Sequence, residues 1–286
     1  MPSNEQRRAA AKRKLERQLE NRAQRARKRK QLTIAASALG VVVAVAAGVG
    51  IYFLTKGDDN SSNSAKASET PDASLTAAPP PAAKAKPASV SCEYRPSQKP
   101  ADKQVSAPGT ANITAAGQVK ATMDTNQGPI SMTLNPGESP CTVNSFESLA
   151  KQKYFDATSC HRMTTGKGLQ VLQCGDPSGT GMGGPGYEFD NEYPTDQYAA
   201  TDQAAQFPVE YKRGVLAMAN AGPGTNGSQF FLVYGDSQLP PQYTIFGTVD
   251  EAGLATLDKI AKGGVAGGGQ DGKPAMDVNI QSVQIN

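Results

Sequence analysis

The chain has 286 residues, enough for one or two domains that each bury an apolar core. Its formal charge of +3 is unevenly distributed, because residues 1–32 carry twelve Lys/Arg and three Glu while the remainder is mildly acidic. The chain has one histidine, and its four cysteines show no CxxC spacing, so the usual zinc-site patterns are excluded and we expect no metal.

The basic arm, residues 1–32, interleaves Arg, Lys and Glu with Ala and Leu, as a charged helix does. Two interpretations are open: contact with nucleic acid or anionic lipid, or a solvated segment that sets membrane topology. No aromatic side chain interleaves with the charges, which favours the second. We therefore expect no nucleic-acid partner.

An uncharged and mostly apolar segment follows at residues 33–54. As a helix it would extend about 33 Å, enough to cross a hydrocarbon core of about 30 Å. The basic block RARKRK precedes it, so the positive-inside rule places the N-terminus in the cytoplasm. The apolar region of a cleaved signal peptide is shorter. We predict a single-pass anchor in a cytoplasmic membrane, with the rest of the chain outside.

Residues 55–117 are rich in Pro, Ala and Ser, including TAAPPPAAKAKPAS. Such a composition offers little apolar surface to bury and predicts a disordered or extended linker. Cys92 and Tyr94 are exceptions and suggest that the linker is pinned to the following domain at that point.

Residues 118–286 have the pattern of a globular domain. Apolar residues alternate from Val119 to Met123 and from Ile130 to Leu134, which predicts a hairpin with its turn at residues 126–128. Several short, turn-rich strands follow, and Val278 to Ile285 gives a last strand. Many strands with only two helices favour a mostly β fold, a closed barrel capped by the helices.

Two helices are predicted within this domain. Val143, Phe146 and Leu149 share one face of a helix that would begin near Thr142 or Asn144, with Glu147 as its capping-box partner. Leu254, Leu257 and Ile260 mark the second helix, which Gly263 and Gly264 would end.

The stretch from Gly214 to Phe231 reads GVLAMANAGPGTNGSQFF. An apolar run stops at Asn220, three glycines and one proline follow, and a second apolar run begins at Phe230. Small residues bring the backbone to the surface there, and Asn220, Asn226 and Gln229 offer uncharged amide groups. This chemistry suits a neutral, peptide-like ligand.

Two further segments accompany that stretch: FDATSCHRMTTGKGLQVLQCGDP at residues 155–177 and GTGMGGPGYEFDNEY at residues 179–193. In order and approximate spacing, the three resemble the cyclophilin-type peptidyl-prolyl isomerases over about residues 118–286. The resemblance is to the membrane-anchored bacterial members. It implies a closed, eight-stranded antiparallel barrel capped by two helices, isomerase activity without a cofactor, and a monomer.

The resemblance also implies the site. Arg162 would be catalytic, and Gln173 would hydrogen-bond the substrate backbone. The substrate-binding residues would be Val171, Ala219, Asn220, Gln229, Phe231, Leu239 and Tyr243. An arginine suits the reaction, because a fixed cation can donate to the proline nitrogen as the amide twists.

Two departures from the family pattern concern the proline pocket. Gln170 occupies the position of a pocket phenylalanine, unless Leu169 fills that space. Gln238 occupies the position of a tryptophan that contacts cyclosporin in the family, so we expect weak binding of that cyclic peptide.

Two other features could suggest different chemistry. His161 could act in acid–base catalysis, but no carboxylate at fixed spacing completes a triad, and we interpret it as structural. Gly179, Gly181 and Gly184 satisfy GxGxxG, yet no helix pattern follows, so we regard the match as accidental.

Four cysteines permit three pairings. Given the resemblance, Cys160 and Cys174 flank the hairpin that carries Arg162 and could face each other. Cys92 with Cys141 would then pin the linker to the first helix. Both pairings require an oxidising compartment.

The sequence thus predicts an isomerase of Xaa-Pro bonds in exported or unfolded proteins. Two alternatives stay open: a prolyl-peptide binding module or holdase without turnover, and an arm that binds nucleic acid or ribosome with the anchor as its tether.

Overall fold

An antiparallel sheet of ten strands dominates the residues that the computed structural model describes, 77–199 and 201–286. The strands are β1 (Ser89–Val90), β2 (Arg95–Pro96), β3 (Ile113–Thr114), β4 (Val119–Thr125), β5 (Gly128–Leu134), β6 (Thr158–Ser159), β7 (Arg162–Gly166), β8 (Leu169–Cys174), β9 (Tyr187–Glu188), β10 (Val209–Tyr211), β11 (Val215–Met218), β12 (Phe230–Gly235), β13 (Ser237–Leu239), β14 (Ile245–Val249), β15 (Asp271–Gly272) and β16 (Asn279–Ile285). The helices are α1 (Pro140–Lys151) and α2 (Glu251–Gly263).

The strand order in the large sheet is β15-β7-β8-β12-β11-β14-β5-β4-β16-β6, and the other strands pair as β1–β3, β2–β9 and β10–β13. The predicted hairpin is β4–β5, with Asn126 and Gln127 between the paired residues Thr125 and Gly128. Gly128 has φ +129°, which is unfavourable for residues with a side chain. The alternation is as expected, with Met123 and Ile130 fully buried.

The predicted mostly β fold with two helices is confirmed. The backbone hydrogen bonds of the described residues do not form the predicted eight-stranded closed barrel. The sheet has ten strands, and in the described part of the chain no ladder joins its edge strands β15 and β6. Both edge strands are only two residues long. The chain instead joins the two margins covalently, since only Cys160 and His161 separate β6 from β7. The sheet therefore curls strongly without a complete ring of backbone pairs.

Successive side chains on the central strands enter two different apolar clusters. Leu216, Phe230 and Leu232 belong to the larger core, where Phe146 of α1 packs with Phe155 at 5.1 Å between ring centroids. Their chain neighbours on the strands belong to a second cluster that contains Val171, Val209, Tyr211, Ala217, Phe231, Val233 and Ile245. Because side chains alternate between the faces of a sheet, the two clusters lie on opposite faces.

The N-terminus of α1 is stabilised by a residue distant in sequence. The helix begins at Pro140, and its N-cap residue Ser139 makes no side-chain capping bond. The Glu192 carboxylate instead accepts hydrogen bonds from the backbone N–H of Cys141 at 3.2 Å and of Thr142 at 2.8 Å. The predicted capping box is therefore wrong. Glu147 is paired with Lys151, one turn later, at 2.6 Å.

Helix α2 follows its prediction. Asp250 caps it by accepting from the N–H of Gly253 at 2.8 Å, and Leu254, Leu257 and Ile260 are buried. The helix ends at Gly263, and the next residue, Gly264, has φ +71°. A residue with a side chain would be strained at this φ, which favours glycine directly after the helix.

Residues 77–117 are not a free linker, which corrects the sequence-based expectation over that range. The Tyr94 hydroxyl donates to the carbonyl of Cys141 at 2.7 Å, and its ring packs edge-on against Tyr187 and Phe189. Strand β2 pairs with β9, and Lys103 donates to the carbonyl of Tyr154 at 3.1 Å. A few aromatic and backbone contacts thus hold this segment against the domain, although its composition predicts that it does not pack. We call residues 77–117 the N-terminal extension.

Both predicted disulfides are present. Cys92–Cys141 joins the extension to α1, with 5.5 Å between the Cα atoms, and confirms that the segment is pinned there. Cys160–Cys174 joins the residue after β6 to the last residue of β8. Disulfides of this kind persist in oxidising compartments.

In the part of the chain that the structure describes, no helix has the length and apolar character needed to cross a membrane. The predicted span, residues 33–54, and the basic arm, residues 1–32, lie outside the described residues, as do residues 55–76 of the predicted linker.

We predict that Glu192→Ala lowers the free energy of unfolding by about 1–3 kcal/mol, because it leaves partly buried N–H groups of α1 without an acceptor. Urea titration followed by circular dichroism measures the change. Glu147→Ala is the matched control, since it removes only an exposed pair one turn apart, which contributes about 0.2–0.5 kcal/mol. Equal losses in the two variants would contradict the assigned cap.

Candidate active site

The hairpin β7–β8 brings the two predicted catalytic residues together. Arg162 and Gln173 are direct cross-strand partners, and the Arg162 Nη1 donates to Gln173 Oε1 at 3.0 Å. Gln173 is in turn the cross-strand partner of Phe231 on β12. Directly opposed residues point to the same face of a sheet, so these three side chains form one row across three strands.

A residue that the sequence analysis missed holds the guanidinium from its other side. Asp271 on β15 accepts from Arg162 Nε at 2.8 Å and from Nη2 at 2.7 Å, a bidentate ion pair. The guanidinium holds the pKa of Asp271 below its ordinary value, and the hydrogen bond to Asp271 raises the pKa of Arg162. Arg162 therefore stays charged throughout the working range of pH.

The fixed pairs leave part of the guanidinium free. Arginine has five N–H donors, of which two go to Asp271 and one to Gln173. One donor on Nη1 and one on Nη2 have no partner in the described structure. Both belong to a side chain whose orientation is set from two sides.

A chain of amide groups continues from Gln173. Its Nε2 donates to Gln229 Oε1 at 2.9 Å, and Gln229 Nε2 donates to the carbonyl of Gly183 at 3.0 Å. The predicted binding residue Gln229 is therefore an orienting neighbour of Gln173. This network fixes Gln173 with its carbonyl oxygen towards Arg162.

The predicted proline pocket coincides with the second apolar cluster. Val171 and Phe231 are buried members of it, and Leu239 and Tyr243 pack against it, partly exposed. The rings of Phe231 and Tyr243 meet edge to face at 5.9 Å. The side chains form an apolar patch on the face that carries Arg162.

Tyr211, which the sequence analysis did not single out, supports this patch. It is fully buried, and its hydroxyl donates to the carbonyl of Tyr243 at 2.9 Å. Burial raises its pKa. The alternation of Val209 and Tyr211 could have indicated a strand with one buried face. The sequence around them contains no motif that would have pointed to the site.

The two residues that depart from the family pattern, Gln170 and Gln238, lie in different surroundings. Leu169 packs against the patch, whereas the Gln170 side chain lies so close to Gly235 that a side chain there would collide with it. Leu169 thus supplies the apolar surface that Gln170 lacks. Gln238 is exposed on β13, opposite Glu210.

Ala219 and Asn220 follow the end of β11. The N–H of Ala219 donates to the carbonyl of Gln229 at 2.9 Å. The Asn220 side chain is occupied internally, donating to the carbonyl of Gln242 at 2.8 Å. Neither the backbone N–H nor the carbonyl of Asn220 has a partner within residues 77–199 and 201–286. These groups are available to an extended peptide.

A cavity of about 530 Å³ adjoins this point. Four predicted site residues contribute to its lining: Gln173, Ala219, Asn220 and Gln229. Its other lining residues belong to the glycine-rich segment 181–188, to the loop 221–228 and to residues 97–100 of the N-terminal extension.

The alternative chemistries gain no support from the geometry. Neither ring nitrogen of His161 has a hydrogen-bond partner among the described residues, and burial lowers its pKa. Gly181 approaches that ring, since a Cβ there would lie 3.4 Å from it. Within the described ranges, no group of His, Cys, Asp and Glu is arranged to hold a metal ion.

Comparison with known proteins agrees with this arrangement. The family model described as "Cyclophilin type peptidyl-prolyl cis-trans isomerase/CLD" matches residues 120–285. A "Probable peptidyl-prolyl cis-trans isomerase B" of Mycobacterium tuberculosis is 56% identical over 292 residues, covering 100% of this chain and 95% of that protein. A protein of the same name from Mycobacterium leprae is 60% identical over 198 residues, covering 69% of this chain and 67% of that protein.

A third relative is shorter. The "Peptidyl-prolyl cis-trans isomerase B" of Streptomyces anulatus is 38% identical over 187 residues, covering 59% of this chain and 98% of that protein. The family model covers more than half of the chain, and the first relative is 56% identical over the whole chain, which establishes the family. The chain belongs to the cyclophilin-type peptidyl-prolyl cis-trans isomerases.

Proposed function

We propose that this isomerase acts on Xaa-Pro bonds of exported or unfolded polypeptides through Arg162. The observation that carries the proposal is the row Arg162–Gln173–Phe231, which puts a fixed cation, an amide and an apolar ring side by side on one face. No bond is made or broken in the reaction, so positioned donors and an apolar pocket are sufficient.

The physical task is to lower a barrier of about 18–20 kcal/mol that arises from amide resonance. As the amide twists, the proline nitrogen becomes pyramidal and its lone pair can accept a hydrogen bond. A free donor of Arg162 stabilises that twisted form more than either planar form, which is the condition for catalysis. The proline ring lies on the patch of Val171, Phe231, Leu239 and Tyr243 in this proposal.

The substrate backbone is held by groups on either side of the patch. Gln173 is oriented by Arg162 and Gln229, and the backbone of Asn220 is free to pair with the residue next to proline. Ala219 is small and leaves room for the peptide. These residues fix the segment around the proline while the bond rotates.

We also propose that the isomerase works outside the cytoplasm as a monomer, anchored by residues 33–54 to the cytoplasmic membrane of a bacterium. The two disulfides support an oxidising compartment. The relatives from Mycobacterium and Streptomyces are bacterial. The basic arm, residues 1–32, would then lie in the cytoplasm as a topology determinant.

The competing proposal is a prolyl-peptide binding module or holdase without turnover. Its support was the loss of the pocket phenylalanine at Gln170. Leu169 packs against the patch and weakens that argument.

We predict that Arg162→Ala lowers kcat/KM for a prolyl peptide by about 10²–10³-fold, the usual effect of removing a donor aimed at a transition state. Arg162→Lys keeps the charge but not the bidentate geometry, so we expect an intermediate loss. A protease-coupled isomerisation assay measures both.

The matched control for this prediction is Arg213→Ala. Arg213 makes a similar bidentate pair with Asp258, at 2.8 and 3.0 Å, but it is not part of the row. Wild-type rates in Arg162→Ala would exclude the catalytic role of Arg162. A wild-type protein that does not exceed the uncatalysed rate would favour the binding module.

We further predict that Asp271→Ala lowers kcat about ten- to hundredfold with little change in KM, because the guanidinium loses its fixed orientation. Asp271→Asn retains one acceptor and should recover part of the rate. Asp258→Ala is the control, since it breaks the equivalent pair at Arg213. If Asp271→Ala and Asp258→Ala lowered kcat and raised KM to the same extent, the effect would be general destabilisation and not the loss of a positioning contact.

A further inference from the structure

The outer wall of the cavity beside the proposed proline site does not belong to the matched isomerase domain. Ser97, Gln98, Lys99 and Pro100 line the cavity of about 530 Å³, whereas the family match begins at residue 120. Gln173 and Gln229 line it from the domain side. A peptide that contacts these amides therefore enters a cavity that the N-terminal extension also lines.

This wall is fixed in place. The N–H of Ser97 donates to the carbonyl of Gly186 at 3.0 Å, and the Ser97 hydroxyl donates to Glu188 Oε1 at 2.9 Å. Three residues beyond Lys99, the N–H of Asp102 donates to the carbonyl of Gly184 at 3.1 Å, and the Asp102 carboxylate accepts from the N–H of Gly184 at 2.7 Å. The wall is hydrogen-bonded on both sides of Lys99.

The glycines of the facing loop explain why the extension can approach so closely. A side chain at Gly183 would collide with the carboxylates of Asp176 and Asp102, and a Cβ at Gly186 would lie 3.0 Å from the backbone of Ala101. The loop and the extension are therefore packed at backbone distance, and the cavity between them is preformed.

The rim of the cavity exposes one cation and one apolar side chain. Lys99 is exposed, donates from Nζ to the carbonyl of Met182 at 3.2 Å, and makes no ion pair within the described ranges. Met182 is 66% exposed, and only Phe207 is a comparably exposed large apolar residue in the described part of the chain. The neighbouring carboxylates, Glu188 and Asp102, already accept from Ser97 and Gly184. Within the described ranges, the Lys99 ammonium group therefore has no carboxylate as a direct partner.

We propose that residues 97–100 add a wall to the client groove beside the proline site, and that Lys99 on this wall selects an acidic client side chain. The inference rests on the proposed function, because the client must place its proline on the Phe231 patch. An extended chain advances about 3.3 Å per residue, so a side chain two or three residues from the proline reaches about 7–10 Å along the groove, and peptides of this kind sample the wall.

The test uses the full chain and peptides with a common Ala-Pro centre that carry Glu, Lys or Ala two or three residues away, on either side. Both kcat/KM and the dissociation constant of each peptide are measured at low ionic strength. At one of these positions the wild type should prefer Glu to Lys by about two- to fivefold, the size expected for an exposed charge pair. Added salt should reduce the preference.

Lys99→Glu should abolish or invert this preference, and Lys99→Ala should abolish it. Lys262→Glu is the matched control, because it reverses an exposed lysine at the end of α2, away from the cavity lining, and should keep the wild-type preference. Circular dichroism and thermal melting verify that each variant is folded.

A Glu preference that persists in Lys99→Glu, or the absence of any preference in the wild type, would overturn the inference. Turnover of the Ala peptides by the wild type reports on the proposed function separately. If no peptide is turned over, the dissociation constants still show whether Lys99 selects an acidic side chain of the client. The two failures are therefore distinguishable.

Discussion

The bidentate ion pair between Arg162 and Asp271 is the interaction on which the site depends. A guanidinium that is held by Asp271 on one side and by Gln173 on the other can present its remaining donors in only one direction. Such preorganisation matters because the protein need not reorient its dipoles while the amide twists. The pair joins β15 to β7 at the margin of the sheet, where the two strands also pair through their backbones.

The rest of the described structure fixes this margin and the peptide groove. Cys160–Cys174 ties the ends of β6 and β8 on either side of the hairpin that carries the site. Cys92–Cys141 ties the N-terminal extension to α1, whose first turn also receives Glu192. In the chain-entropy view, closing the loop between Cys92 and Cys141 contributes about 4 kcal/mol, since the two cysteines are 49 residues apart. The extension is thus fixed to the domain whose cavity it helps to line.

Local pattern was sufficient to predict the β4–β5 hairpin and helix α2, because alternation and helical periodicity are short-range properties. The family resemblance placed Arg162 and Gln173 on one hairpin. The predictions that failed depend on contacts between distant residues. Asp271 is 109 residues from Arg162, and Glu192 lies 50 residues beyond the N–H that it caps. The packing of the extension was missed because composition reports only apolar content, whereas a disulfide, Tyr94 and the short β2–β9 pair hold the segment to the domain. The edges of the sheet could not be predicted either, because β6 and β15 have two residues each and are too short to show a periodic pattern.

Magnetisation exchange between the cis and trans proline signals of a peptide, with the full chain present at a few per cent of the peptide concentration, tests the central claim most directly. Uncatalysed exchange takes tens to hundreds of seconds, too slow to give cross-peaks. If Arg162 and its partners stabilise the twisted amide, cross-peaks between the two isomers should appear within a second and should fade in Arg162→Ala. Chemical-shift changes that report binding, without any exchange cross-peaks in the wild type, would contradict the account.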